Sequence, residues 1–303
     1  MEKVWDLIKS AQKINVYTHK GPDGDSLGVC VGLKRMINYH YPSKDIEAIV
    51  LDPLAGKLAT CEISRDTVTL DREANLYVYP DTPVLKMIGS LHSPSVAIDH
   101  HAGRESFSDY EYVKVWPSCC GLLLNEFQNI GLNISSKVAE AFLVGAVTDT
   151  GQGTYGDINF RSQALKDIGT LDKICEKYQG NFVNTFLGLT LEQEKWLGKI
   201  YQHIKVNNGC MTLEVPAELS QGVNLSEMRM MLQELTHRIV ADHYIWGYPY
   251  KNTVRYSARS QNKDVNMFAT KFGGAGHKGA ASFEYSDSKP NEIFKEFERY
   301  TSS

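Results

Sequence analysis

Six side chains of metal-ligating type stand where apolar runs end: His19, Asp23, Asp25, Asp81, His100 and Asp149. They fall in T-H-K-G-P-D-G-D-S-L-G at 18–28, Y-V-Y-P-D-T at 77–82, S-P-S-V-A-I-D-H-H-A-G at 93–103 and G-A-V-T-D-T-G at 145–151. Each segment alone has a bland reading. A lone histidine is more often a surface or hydrogen-bonded core residue than a ligand. Asp23-Gly24-Asp25 reads as readily as a turn with two helix-capping acids. Together they would have to arise as six separate accidents at element ends. Four or five carboxylates in one cleft repel strongly unless cations neutralise them. Two divalent metal ions about 3.5–4 Å apart would do so, and such a pair can activate a water and clamp a phosphate. A donor set of oxygen and imidazole without thiolate suits Mn²⁺ better than structural Zn²⁺.

Bringing these residues together requires strands that end on one rim. Residues 2–12 place Val4, Trp5, Leu7, Ile8 and Ala11 at helical spacing. Lys13 to Thr18 give a strand closed by His19, and a helix over about 27–39 follows, with Ser26 or Asp25 as N-cap. Asp45 to Leu51, Leu76 to Tyr79, Ser95 to Ile98 and Tyr110 to Val115 read as strands, and 120–130 and 136–147 as helices. Residues 53–75 carry no clear pattern. The alternation predicts right-handed crossovers and an α/β fold whose N-terminal domain has a mainly parallel five-stranded sheet flanked by helices. Ligands bind such sheets at the carboxyl ends of the strands. A helix over about 160–178 and a charged amphipathic segment over 181–205 follow. Beyond them the pattern changes to strands at 209–215, 239–248 and 253–260 and helices at 225–236, 265–271 and 292–300, with a glycine-rich loop at 272–279. The expected division is a ligand-bearing domain over 1–185, a helical linker over 186–205 and a smaller α/β domain with a mixed sheet over 206–303.

A chain of 303 residues is long enough for two domains. Its formal net charge of −4 argues against coating long nucleic acid, which calls for a basic surface. A small anionic substrate in a local basic pocket remains compatible. The six cysteines are scattered, with no C-x-x-C pair and no secretory leader, so reduced thiols in a cytoplasmic protein are expected. No apolar stretch approaches the length of a membrane span.

Taken together, His19-x-x-x-Asp23-x-Asp25, Asp81, Asp99-His100-His101 and Asp149 in T-D-T-G resemble the four signatures of the DHH phosphoesterases. S-A-R-S at 257–260 and G-G-A-G-H at 273–277 resemble the DHH-associated C-terminal domain. The resemblance covers almost the whole chain and is nearest the standalone two-domain type. That type holds nanoRNases (oligoribonucleases that act as exonucleases on short RNA), 3′-phosphoadenosine 5′-phosphate (pAp) phosphatases, and phosphodiesterases for linear or cyclic dinucleotides. It implies a Mn²⁺-dependent hydrolase of phosphoric esters, with a short oligonucleotide or nucleotide as substrate; homodimers are common in the family. One metal would be held by His19, Asp23 and Asp81, and the other by Asp25, Asp81, His100 and Asp149, with Asp81 bridging. Asp99 would fix a histidine ring, and His101 would face the phosphate as a donor or general acid. Arg259, Gly273, Gly274, Gly276 and His277 would grip the substrate.

Ala275 replaces a usual glycine, and Cys119-Cys120 stand where small hydroxyl residues are expected. Tyr244, Trp246, Tyr248 and Tyr250 alternate along one segment. They could stack a base, but a buried strand face explains them more simply. Three other readings compete. A family II pyrophosphatase would carry a basic S-R-K-type run, which is absent. A cyclic dinucleotide phosphodiesterase shares the same domain pair. A non-catalytic nucleotide-binding regulator would have lost a ligand, and none is lost.

Overall fold

The computed structural model describes residues 1–54, 56–176, 188–286 and 290–302. The chain forms two compact units, Met1–Gly153 with Phe160–Leu187, and Thr154–Asn159 with Gly188–Ser303.

In the first unit the strands are short and apolar, as a sheet covered on both faces requires. They are β1 Lys13–Tyr17, β2 Asp45–Ile49, β3 Thr67–Val68, β4 Leu76–Pro80, β5 Ser95–Asp99 and β6 Tyr110–Val113, in the order β3-β2-β1-β4-β5-β6. Every pairing is parallel. The sheet therefore has six strands, where the sequence pattern gave five. The sixth, β3, has two residues and lies in the unpatterned stretch, too short to show a period of two. Strand order reverses between β1 and β4, and that switch point is where an open sheet leaves a crevice at its carboxyl edge.

The helices are α1 Glu2–Ser10, α2 Gly24–His40, α3 Gly56–Thr60, α4 Cys119–Asn129, α5 Ser136–Asp149 and α6 Ile158–Ile174. Val4, Trp5 and Ile8 form the buried stripe of α1. Helix α2 meets α5 through Gly24, Gly28 and Gly32, spaced four apart on one face. A Cβ at Gly28 would lie 2.6 Å from Ala141 O and 2.9 Å from Gly145 N. The two backbones thus approach as closely as glycine permits.

The second unit carries β7 Ile204–Asn207, β8 Cys210–Glu214, β9 His243–Tyr250, β10 Thr253–Ser260, β11 Ala275–His277 and β12 Ala280–Tyr285, in the order β11-β12-β10-β9-β8-β7. Only the β8–β9 pairing among these is parallel, so the sheet is mixed, as expected. Its helices are α7 Leu191–Ile200, α8 Ala217–Ser220, α9 Leu225–Arg238, α10 Val265–Thr270 and α11 Pro290–Ser302. Three strands depart from the sequence reading, β12 among them, since no strand was assigned after residue 260. The end of the supposed 181–205 linker becomes β7, and part of the glycine loop becomes β11. Residues 177–187, where the 160–178 helix and that linker were expected to meet, lie outside the described residues. Tyr244, Trp246 and Tyr248 are buried in one core with Met228, Met231 and Leu232, so the plain structural account of these aromatics holds. No helix among the described residues is long and apolar enough to cross a membrane.

Gly28→Ala should force α2 from α5, because both blocking atoms are backbone. Overpacking of this kind costs about 1–3 kcal/mol. Urea unfolding should register it as a lowered midpoint, and an unchanged midpoint would refute the close-packing account.

Candidate metal centre

Each candidate ligand is placed by a separate local device. His19 follows β1 and the buried Thr18, and its N–H donates to Ser26 Oγ at 3.0 Å. Asp23 caps α2, accepting from the Asp25 and Ser26 N–H groups at 3.1 and 3.0 Å. The cap is therefore neither Ser26 nor Asp25. The helix starts at Gly24, earlier than its apolar pattern reveals, and Asp25 sits inside its first turn. There Asp25 is buried and accepts the Cys119 and Cys120 N–H groups at 2.5 and 3.0 Å. The N-terminus of α4 thus answers its charge. Asp81 follows β4 with φ 51°, a left-handed conformation uncommon outside glycine. Its N–H donates to Ile98 O at 2.9 Å, which locks the turn to β5. His100 follows β5. Asp149 is the last residue of α5 rather than the first beyond it.

Two constellations result. His19 Nε2 lies 3.8 Å from both Asp23 Oδ1 and Asp81 Oδ2. His100 Nε2 lies 3.7 Å from Asp25 Oδ2, 3.3 Å from Asp81 Oδ1 and 3.6 Å from Asp149 Oδ2. Asp81 therefore turns one oxygen to each histidine, as a bridging carboxylate would. In each group, His19/Asp23/Asp81 and Asp25/His100/Asp149, the ligand atoms lie within 4.8 Å of one another.

Both rings have a backbone carbonyl against Nδ1: Lys20 O for His19 and Trp116 O for His100, each at 2.9 Å. A carbonyl can only accept, so Nδ1 carries hydrogen and Nε2 is the atom turned to the carboxylates, as in a metal-ligating imidazole. Burial, and next to it the charge of Asp25, push the Asp81 carboxyl well above the usual range in the ion-free site. Burial opposes a charge on His100, yet Asp81, Asp149 and Asp25 raise it well above the ordinary imidazole value. Asp81 Oδ1 is buried and accepts no hydrogen bond. An all-oxygen and imidazole cage of this kind fits divalent cations that prefer such donors.

Asp99 ends β5 and is fully buried. Its Oδ1 accepts the His101 N–H at 3.0 Å and lies 2.7 Å from His101 Nδ1. Burial would raise this carboxyl, but the His101 contacts outweigh it and hold it below its usual value. The histidine that Asp99 fixes is thus His101, whereas His100 is held by Trp116. Three supporting residues had no sequence signal: Arg104 beside Asp99, Trp116, and Asp167, whose Oδ2 accepts Trp116 Nε1–H at 2.8 Å. At Cys119 and Cys120, where small hydroxyl residues were expected, the backbone N–H groups meet Asp25.

In the second unit, Arg259 donates to Gln233 Oε1 at 3.1 Å and to Ala258 O at 2.9 Å. Its guanidinium lies 5.3 Å from the Trp246 ring centre and 5.5 Å from that of Tyr155. Gln233 was another residue without a sequence signal. The glycines have backbone duties here. Gly273 and Gly274 donate to Thr270 O and Ala269 O and close α10. A Cβ at Gly274 would lie 2.3 Å from Ser282 O, and one at Gly276 2.4 Å from Ala280 O. His277 pairs with Ala280 across the β11–β12 hairpin.

No protein-family model matches the sequence. The chain is similar to a bifunctional oligoribonuclease and PAP phosphatase of Mycoplasma genitalium, with 22% identity over 91% of this chain and 89% of that one. A probable enzyme of the same description from Streptococcus mutans is 23% identical over 95% of each chain. These alignments run through both units, and the four acidic and histidine signatures converge in space. The chain is thus similar along its length to oligoribonucleases and PAP phosphatases, as its resemblance to the DHH phosphoesterases led one to expect. A solved exopolyphosphatase-related protein from Bacteroides fragilis has the same fold, with TM-score 0.78 over 99% of this chain and 95% of that one at 21% identity. The six-stranded parallel sheet and the mixed second sheet are thus a fold shared with that protein.

Asp81→Gly should relieve the left-handed strain and one buried carboxyl while deleting the shared ligand. The metal-free variant should melt no lower than wild type, and Mn²⁺ should raise the melting temperature of wild type alone. A Mn²⁺ shift that survives the substitution would refute the shared-ligand geometry. Burial pushes Asp167 up to about 6. The folded state therefore holds this proton more tightly than the unfolded chain. The resulting stability is complete below about pH 4 and lost as pH rises through about 6. Asp167→Asn keeps an acceptor for Trp116 without titrating. Its melting temperature relative to wild type should climb between about pH 4 and 7, and a pH-independent difference would refute the assignment.

Proposed function

We propose that the chain is a Mn²⁺-dependent phosphoesterase that hydrolyses short oligonucleotides to mononucleotides and removes a phosphate from pAp. The observation that carries this reading is the pair of ligand groups sharing Asp81, one oxygen to each side. Its relatives' described activities support the substrate class. His19, Asp23 and Asp81 would hold one cation, and Asp25, Asp81, His100 and Asp149 the other. When bound, the two ions lower the pKa of a water and neutralise the phosphate it attacks.

The chain's own groups supply the rest. Asp25 is oriented by the α4 amides, which hold its carboxylate toward the site. Asp99 engages His101 Nδ1, so the proton for the leaving ribose oxygen comes from His101 Nε2 as the ester P–O bond breaks. The first unit is the catalytic domain and the second the substrate-binding one. There Arg259 and His277 grip a terminal phosphate or nucleotide, with Gly273, Gly274 and Gly276 shaping the loop. The net charge of −4 disfavours a long nucleic-acid track. Six cysteines without a disulfide suit a cytoplasmic enzyme.

A Mn²⁺ assay against pAp, RNA from two nucleotides upward, cyclic dinucleotides and pyrophosphate at one salt concentration tests this. The highest kcat/KM is expected on linear di- to pentanucleotides with a terminal phosphate. Turnover of pAp should accompany it, and EDTA should abolish both. Faster cleavage of long strands, of intact cyclic dinucleotides or of pyrophosphate would overturn the substrate assignment.

A further inference from the structure

Arg104 lies five residues beyond Asp99, and its side chain is only 2% exposed. A buried guanidinium is costly unless it is paired. Here Nε lies 3.1 Å from Asp99 Oδ2 and donates to Thr82 O at 3.1 Å. Nη1 lies 2.9 Å from Glu111 Oε1 on β6. Glu111 is itself held, since Oε1 accepts the Phe107 and Ser108 N–H groups at 2.8 and 3.1 Å. The guanidinium carbon sits 4.3 Å from the centre of the Phe107 ring. Arg104 is therefore seated on a fixed frame.

What it touches bears on the chemistry from two sides. The two Asp99 oxygens divide their partners: Oδ1 serves His101, while Oδ2 accepts no hydrogen bond and lies in charge contact with Arg104, whose single Nε–H goes to Thr82 O. A carboxylate rotates easily about its terminal torsion. The guanidinium charge draws Oδ2 toward it, which biases the plane, and the plane aims the His101 ring. Thr82 follows Asp81 directly, so the bond to its carbonyl holds the strained turn that presents Asp81.

We propose that Arg104 is a positioning residue that fixes the Asp99 carboxylate and, through it, the His101 ring. This rests on the reading of His101 as the proton donor. A purely structural anchor would predict lost stability and a general loss of rate. A positioning role predicts a loss that depends on the leaving group.

The test uses the full chain with Arg104→Met, Arg104→Lys, His101→Ala and the Arg104→Met/His101→Ala double variant. The probes are a linear dinucleotide and the p-nitrophenyl ester of thymidine 5′-monophosphate, whose leaving group departs without a proton. Arg104→Met should lower kcat on the dinucleotide by roughly ten- to a hundredfold with KM within about twofold, and lose less than about threefold on the ester. Arg104→Lys should fall between, and carries the test if the methionine variant does not fold. Added to His101→Ala, the methionine change should cost less than about threefold more. In the metal-free protein, the ¹⁵N-detected His101 Nδ1–H signal should be protected from exchange in wild type and lost in Arg104→Met. Equal losses on both substrates with an additive double variant and an unchanged ring signal would overturn the proposal. If His101→Ala leaves dinucleotide hydrolysis intact, the proton-donor reading fails instead, and the ring signal still decides whether Arg104 orients His101.

Discussion

The first unit depends on one electrostatic problem, the crowding of Asp23, Asp25, Asp81 and Asp149 around two imidazoles at the end of a dry sheet. Water cannot screen these charges where Asp25 and Asp81 are almost fully buried. The fold answers in parts. The amides of α4 meet Asp25. Backbone carbonyls set both ring tautomers. What remains is a crowd of carboxyl groups around two imidazoles, which protons on Asp81 and His100 relieve in part and divalent cations would relieve further. The arrangement is unfavourable as a resting protein and favourable as a receptacle.

Architecture makes such crowding possible without unfolding the chain. The strand order reverses between β1 and β4, so His19 and Asp81 leave the sheet on either side of one crevice. Asp25 and Asp149 arrive from helices whose axes must be close. Three glycines at four-residue spacing on α2 let it press on α5, and Gly145 leaves room for the Asp25 carboxylate itself. A Cβ at Gly145 would lie 2.4 Å from Asp25 Oδ1. Backbone economy in one helix pair thus sets the distance between charges on two ligands.

The parallel character of the first sheet and the candidate ligands were legible because most candidates stand at the ends of apolar runs, a local signal. Strands β3, β7 and β11 were not legible, since two to four residues are too few to display a period. The start of α2 was misplaced because Gly24 and Asp25 carry no apolar periodicity, and the cap at Asp23 became visible only from its bonds. The supporting residues were opaque for a different reason. Arg104 answers a carbonyl 22 positions earlier, Trp116 a carboxylate 51 positions later, and Gln233 an arginine 26 positions on. No spacing rule links such partners; only the folded chain does.

The α4 terminus has a further consequence for chemical durability. The α4 amides answer Asp25, so positions 119 and 120 accept sulfur, and their thiols face the Ile98 and Asp25 carbonyl oxygens at 3.5 and 3.8 Å. Both thiols are fully buried, and burial, then the nearby Asp25 charge, drives them well above the ordinary thiol range. Thiolate is the form that peroxides and disulfides attack. Burial, reinforced by the Asp25 charge, therefore favours the protonated form of two adjacent sulfurs beside the site, the form least open to oxidation.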